Sequence, residues 1–338
     1  MNFGTKIDNM NLPELQIYTP SGEPRLPDGN CVIALGTFDG VHLAHRALLR
    51  EAIALAHELG TRVGAFCFPE SPASVMSGKE IPLLCTAERR IETMLSLGLD
   101  FVAVGDFHAY RTVTAEDFIE SVIKKRLCAV GAVCGFNHRF GKGGLGSPEL
   151  ILSAFGEENV RVIPEVNCAW GRVSSSLIRA AIQEGDVFSA STLLHGGFYL
   201  DTPVVKGKQL GRKLGFPTAN QLFPHGTVIP KHGIYAAVAV TEDGKRYAAV
   251  SNVGIRPTIV DGSDSHVANC ETYIHSFSGD LYGKKLQVYP QKYLREEKKF
   301  SSVEELRDQI SCDLDSALAY FDKENPLLCP ARETELSL

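Results

Sequence analysis

Apolar and polar positions divide this chain into two halves with different rhythms. In the first half, short runs that are apolar throughout alternate with longer stretches in which apolar residues recur every three or four positions. The runs Cys31–Leu35, Arg62–Phe68, Phe101–Val104, Ala129–Cys134 and Val160–Ile163 read as strands. Leu43–Leu59, closed by Gly60, and Ala87–Leu97 carry helical spacing. Thr114-Ala-Glu-Asp117 is a capping box opening a helix to about Arg126, and Ser147-Pro148 caps another with proline at its first position. Such alternation predicts an α/β fold, a parallel sheet with helices on both faces and ligand-binding loops beyond the carboxyl ends of its strands.

The rhythm changes near Leu194–Gly197. Strand-like runs Phe198–Val205, Gly233–Val240, Tyr247–Asn252, Glu271–Phe277 and Leu286–Tyr293 follow, separated by turns and not by helices. This pattern predicts an antiparallel barrel or sandwich. Ser302-Val-Glu-Glu305 is a second capping box, after which Leu306, Ile310, Leu314 and Phe321 mark one face of a long terminal helix. The tail from Asn325 is expected to fray. A length of 338 residues suits two domains, placed at 1–192 and 193–338.

Composition narrows the setting. A net charge of −6 argues against a nucleic-acid or membrane-surface binder, which needs a basic face, but leaves room for local phosphate pockets. Nine cysteines without a Cys-x-x-Cys pair read as reduced thiols of an intracellular protein. The start carries no apolar signal segment and no run approaches membrane-spanning length, so the expectation is a cytoplasmic protein.

Three segments carry candidate chemistry. Gly36-Thr-Phe38-Asp-Gly-Val-His42-Leu-Ala-His45 lies where the first strand gives way to the first helix. Unpaired N–H groups at a helix start favour phosphate, and two histidines three apart can share a face and donate to phosphoryl oxygens; the plainer alternative is a pair of structural histidines. Val173-Ser174-Ser175-Ser-Leu-Ile-Arg179 is either a simple helix cap or one side of a phosphate clamp. Gly207-Lys-Gln-Leu-Gly211-Arg212-Lys-Leu-Gly215-Phe-Pro-Thr218-Ala-Asn220 is either an anion-binding loop, with hard oxygens at Thr218 and Asn220 suited to Mg2+, or a glycine-rich hairpin with a solvated tip.

Taken together, these segments resemble a known family. The G-x-F-D-G-V-H-x-x-H turn and the S-S-x-x-I-R segment are similar to the H-x-G-H and S-S-x-x-x-R signatures of nucleotidyltransferases, and G-x-x-x-G-R-x-x-G-F-P-T-A-N is similar to riboflavin kinase. Their order and spacing, over roughly Asn30 to Phe321, resemble the bacterial bifunctional riboflavin kinase/FMN adenylyltransferase (FAD synthetase) family. The resemblance implies an N-terminal Rossmann-like nucleotidyltransferase domain and a C-terminal antiparallel β-barrel kinase domain with a terminal helix. It implies ATP as co-substrate, Mg2+ as cofactor, and riboflavin, FMN and FAD as substrates and products, and it leaves room for weak self-association.

By the same resemblance Glu271 is the kinase's general base, Gly207–Gly215 its flap over ATP, Thr218 and Asn220 its Mg2+ and phosphate ligands, and Arg295 a flavin contact. His42 and His45 would steady the ATP α-phosphate, with Gly36, Phe38, Asn137, Ser174, Ser175 and Arg179 around the phosphates. The chain departs from the family pattern at Ala44, where glycine is usual, in Phe68–Pro72, which lacks a histidine, at Gly144 and Ser147, and at Ser276. One alternative reading is therefore a riboflavin kinase whose first domain is weakened or inactive. Others are a non-enzymatic flavin carrier and a nucleotidyltransferase for a different phosphate ester.

Overall fold

In the computed structural model the chain divides into two compact units, Met1–Val173 and Ser174–Leu338. The structure describes residues 13–324 apart from 24, 27, 208–210, 212–213 and 261–262, so Arg212 and the tail from Asn325 lie outside the described residues.

The first unit is a six-stranded sheet. Its strands are β1 (Leu15–Tyr18), β2 (Cys31–Leu35), β3 (Arg62–Cys67), β4 (Phe101–Gly105), β5 (Ala129–Gly135) and β6 (Val160–Ile163), in spatial order β1-β4-β3-β2-β5-β6. All neighbours run parallel except β1, an antiparallel edge strand on β4 that the hydrophobic pattern does not predict because it is four residues long and half-buried. Helix α1 (Leu43–Glu58) connects β2 to β3. Then α2 (Pro72–Ser77) and α3 (Ala87–Ser96) precede β4, and α4 (Phe107–Tyr110) and α5 (Ala115–Asp117) precede β5. Helix α6 (Pro148–Phe155) leads to β6, and a small hairpin, β7 (Asn167–Cys168) with β8 (Gly171–Arg172), ends the unit. The helix predicted from the Thr114 box is present, but past α5 it widens into π-helical turns over Phe118–Arg126.

Every residue of β2 is buried, because the strand has helices on both faces. Cys31, Ile33 and Leu35 pack with Phe118, Ile119, Val122 and Ile151 on one side. Val32 and Ala34 pack with Leu48, Leu49, Ala52, Ile91 and Met94 on the other. The strand order reverses at β2, which pairs with β3 on one flank and β5 on the other. Leu35 stands opposite Cys134, so the loops leaving β2 and β5 start side by side and form the switch-point crevice of the sheet.

The second unit opens with α7 (Ser175–Glu184) and α8 (Val187–Leu193). Six strands follow: β9 (Leu200–Pro203), β10 (Thr218–Leu222), β11 (Gly233–Val240), β12 (Arg246–Val260), β13 (Ser263–Ile274) and β14 (Lys285–Arg295). All pairings are antiparallel, in order β10-β13-β12-β11-β14-β9. The two ends of this sheet meet: Gln221 Nε2 donates to Thr202 O at 2.7 Å, and Val205 N donates to Asn220 O at 2.8 Å, which nearly closes a barrel. The predicted strand Phe198–Val205 is shorter, with single bridges at Val204 and Val205. The predicted Tyr247–Asn252 and Glu271–Phe277 are instead parts of one long ribbon, since β12 and β13 pair continuously from Ala249↔Ile274 to Val260↔Ser263.

Helix α9 (Val303–Glu324) closes the unit. Its predicted cap forms with a shift: Ser302 Oγ accepts the Glu305 N–H, but the Glu305 carboxylate accepts from Ser301 N and Oγ. Ala317 and Phe321 pack on Ile234, Ala236, Val238, Ala248 and Val250, the outer face of β11 and β12. A buried ion pair fastens the same helix: Arg295 Nε and Nη2 donate to the two Asp313 carboxylate oxygens at 2.7 and 2.5 Å, and Gln309 Nε2 adds a 3.0 Å bond. Among the described residues no helix is long and apolar enough to cross a membrane.

Removing Asp313 leaves Arg295 charged, unpaired and largely shielded from water. Asp313→Ala is expected to destabilise the second unit by about 3 kcal/mol in urea unfolding. The joint Arg295→Met, Asp313→Leu variant is expected to recover most of that loss.

Candidate functional site

The first candidate site begins at the end of β2. Phe38 and Val41 both adopt left-handed backbone conformations, with φ of 53° and 43°, on either side of Gly40 at 74°. A left-handed conformation is a genuine outlier for a β-branched residue such as valine and costs on the order of 1–3 kcal/mol. Burial of both side chains, at 0% and 1% exposure, holds the turn in place. Its product is His42, extended and seated as the N-cap of α1.

That seat sets the chemistry of the ring. His42 Nδ1 accepts the His45 N–H at 3.4 Å, so it carries no proton and the imidazole hydrogen sits on Nε2, a donor suited to a phosphoryl oxygen. The rings of His42 and His45 stack at 3.6 Å, 15° from parallel, and Phe38 borders His45 at 5.4 Å. Burial pushes His42 down to about 4, assisted by the Arg46 charge. Burial, His42 and Arg90 hold His45 well below its usual range. Both imidazoles are therefore neutral at pH 7, and the buried Nδ1 of His45 has no hydrogen-bond partner among the described residues.

Gly36 lies under the Phe38 ring, and Ala44 is half-buried in the first turn of α1. Asn137 is exposed on the loop after β5, across the switch point from the β2 loop. The histidine pair and Asn137 thus belong to adjoining strand ends. Ser174, Ser175 and Arg179 fall in the second unit, where Ser174 Oγ caps α7 by accepting the Leu177 N–H at 3.2 Å.

Sequence reasoning misses Arg90. It shares the buried stripe of α3 with Ile91 and Met94 and is itself only 2% exposed. Its Nη1 donates to Thr37 O at 2.7 Å, and its Nη2 donates to Phe68 O at 2.8 Å and Pro69 O at 2.7 Å, tying the loop after β2 to the loop after β3. The available signal is a charged residue falling on an apolar stripe. Asp39, also buried, accepts the Leu84 N–H at 2.8 Å and anchors the same turn from another side.

The second candidate site lies on the outer face of the barrel. Register places Asn220, Glu271 and Asn252 directly opposite one another on β10, β13 and β12. Opposed residues share a face, so the amide of Asn220 and the carboxylate of Glu271 point the same way. Thr218 lies two residues before Asn220 on that face, opposite Tyr273. Asn269 Nδ2 donates to Glu271 Oε1 at 3.2 Å, and Asn252 Nδ2 donates to Glu297 Oε1 at 3.0 Å.

Asn220 is 6% exposed, and its Oδ1 has no hydrogen-bond partner among the described residues. Gly207 lies against it: a Cβ there would come within 2.6 Å of that same Oδ1, so only glycine lets the flap approach. Gly211 is equally constrained, its Cβ position lying 2.4 Å from Phe216 O. Gly215 has φ of 86°. The segment predicted as one loop therefore splits: Gly207, Gly211 and Gly215 precede the strand, and Thr218 and Asn220 stand on β10.

Arg295 continues the same row through Ile234, but both oxygens of Asp313 engage its guanidinium and its Nη1 donates to Glu296 O. This ion pair helps to hold α9. Ser276 has φ of 56°, a left-handed position where aspartate is more at ease than serine. Among the described residues no group of three or more His, Cys, Asp or Glu could hold a metal ion.

The neutral histidines have a consequence for stability. An unfolded His42 takes up its proton near pH 6.5 and the folded one only near 4, so stability is retained above pH 6.5 and falls as the pH drops towards 4. His42 alone is expected to account for about 3 kcal/mol of that loss. Urea unfolding of the first unit between pH 7 and 4 measures it, and His42→Asn is expected to flatten the dependence.

Known proteins match both halves. A family profile described as FAD synthetase matches residues 26–177, and one described as riboflavin kinase matches residues 194–321. The bifunctional riboflavin kinase/FMN adenylyltransferase of Listeria monocytogenes serovar 1/2a is 31% identical over 313 residues, which is 91% of this chain and 98% of that protein. The proteins of the same name from Bacillus subtilis strain 168 and Escherichia coli K12 are each 31% identical, over 86% and 89% of this chain and 92% and 96% of their own lengths. A crystal structure of a protein named a macrolide-efflux protein, from Streptococcus pneumoniae, superposes with a TM-score of 0.76 at 29% identity, covering 86% of this chain and 95% of that one. With both profiles in the expected order and relatives that align over nearly their whole length, the chain belongs to the bifunctional riboflavin kinase/FMN adenylyltransferase family.

Proposed function

We propose that the second unit phosphorylates riboflavin to FMN and the first adenylylates FMN to FAD, each at the expense of ATP. The observation that carries this reading is the register match of Asn220 with Glu271, which puts a phosphate-side amide and a carboxylate base on one face beside the glycine flap. In the kinase reaction the ribityl 5′-oxygen attacks the γ-phosphorus, Glu271 accepts the hydroxyl proton, and ADP leaves. The unpartnered Oδ1 of Asn220, together with the Thr218 hydroxyl, fits Mg2+ held jointly with phosphate oxygens. Bound there, the ion supplies neutralisation of phosphate charge.

In the adenylylation a phosphate oxygen of FMN attacks the α-phosphorus of ATP and pyrophosphate leaves. No covalent enzyme intermediate is needed, and the unit's contribution is placement and hydrogen bonding. His42 Nε2–H, fixed as a donor by the cap, stabilises charge on the phosphoryl oxygens, and stacking keeps His45 in line with it. Asn137, from the adjoining strand end, is the candidate for contact with substrate phosphates. Ser174, Ser175 and Arg179 are proposed as a phosphate clamp, and Arg212 as a charge on the kinase flap.

Ala44 is the ground for a kinase-only reading. The FAD synthetase match runs through Ala44, and relatives aligned across this region are named for both activities, which favours the two-step function.

Incubation with riboflavin, ATP and Mg2+ is expected to yield FMN, then FAD and pyrophosphate; absence of FAD from supplied FMN would overturn the second step. Glu271→Gln is expected to slow FMN formation about a hundredfold while leaving the conversion of supplied FMN to FAD intact. Equal loss of both reactions would remove Glu271 as the base.

A further inference from the structure

Arg90 does more than brace the core. A guanidinium at 2% exposure normally meets a carboxylate, since an unpaired buried charge is costly. All the hydrogen bonds of Arg90 run to main-chain carbonyls, those of Thr37, Phe68 and Pro69, and among the described residues no carboxylate pairs with it. Its Nε is buried without a partner. Three carbonyl dipoles solvate the cation but do not cancel its charge.

The carbonyls themselves are telling. Thr37 belongs to the turn that delivers Phe38, His42 and His45, and Phe68 and Pro69 form the start of the loop after β3. A planar peptide holds its N–H opposite its C=O, so fixing Thr37 O and Pro69 O turns the N–H groups of Phe38 and Glu70 away from the guanidinium. One side chain from α3 therefore links the two strand-end loops, while Asp39 anchors the first of them separately.

We propose that Arg90 is a positioning residue of the adenylylation site, setting the relative placement of the loops after β2 and β3 and supplying a buried positive charge, held by carbonyls and not by a direct ion pair, that favours the ATP polyphosphate. The inference rests on the reading that the first unit transfers an adenylyl group. Arg90 acts on the phosphates through the loops and through its field, and no direct contact is required. Its charge also reaches His45 and helps keep that ring neutral.

The two roles separate by substitution. Lysine keeps the charge but cannot bridge three carbonyls, and methionine of similar reach keeps neither. In the full chain, with riboflavin phosphorylation as a control on the second unit, Arg90→Met is expected to raise the KM for ATP in FAD formation about tenfold and to lower kcat. Arg90→Lys is expected to restore KM to within about threefold of wild type while kcat stays depressed. FMN formation is expected to be unchanged in both.

Wild-type kinetics for FAD formation in Arg90→Met would overturn the proposal, as would a lysine variant no better than methionine in KM. A parallel fall in both reactions would also overturn it, marking a general folding role. Wild-type protein that forms FMN but no FAD would sink the underlying function, and this inference with it, in a manner distinct from the variant outcomes.

Discussion

Strand register is the constraint on which both halves of this protein depend. Side chains alternate with period two, so a slip of one residue exchanges the buried and exposed faces of a strand. In the first unit the pairing Leu35↔Cys134 sets where the β2 and β5 loops begin, and with it the separation of the histidine turn from Asn137. In the second, Asn220↔Glu271↔Asn252 puts three polar groups in one row, while Gln221, Cys270 and Val253 face the interior. Either site would dissolve if its strands paired one position out. The buried β2 core and the closure through Gln221 and Val205 are what forbid that slip.

Desolvation shapes the rest. Burial keeps His42 and His45 neutral, which makes them hydrogen-bond donors and not charges at physiological pH. The same low-dielectric interior makes the Arg295–Asp313 pair strong and leaves Arg90 as a standing positive charge. The buried Arg90 and the part-buried Arg295 thus have opposite fates. Arg295 meets a carboxylate and fastens a helix; Arg90 is held by carbonyls and ties down the histidine turn.

The two reactions proposed for this family member share a logic of placement. Phosphoryl and adenylyl transfer ask the protein for alignment, donors and charge, not for a covalent partner. Strained backbone at Phe38 and Val41 and the close approach of Gly207 to Asn220 are local costs accepted to achieve that alignment.

Much of this was legible in the sequence. The apolar runs and helical spacing determine the parallel sheet, the antiparallel second half and the terminal helix, because local periodicity reflects which faces are buried. The His42–His45 turn and the glycine-rich flap were visible because their residue types are rare in combination. The strand Thr218–Leu222 was not, since its polar residues are matched only by partners about fifty positions away across β13. Nor were the roles of Arg90, Asp313 and Arg295, whose partners lie on other elements. Sequence determines what each segment tends to be; only the tertiary structure decided which buried charge meets a carboxylate and which does not, because that depends on which elements pack together and exclude water.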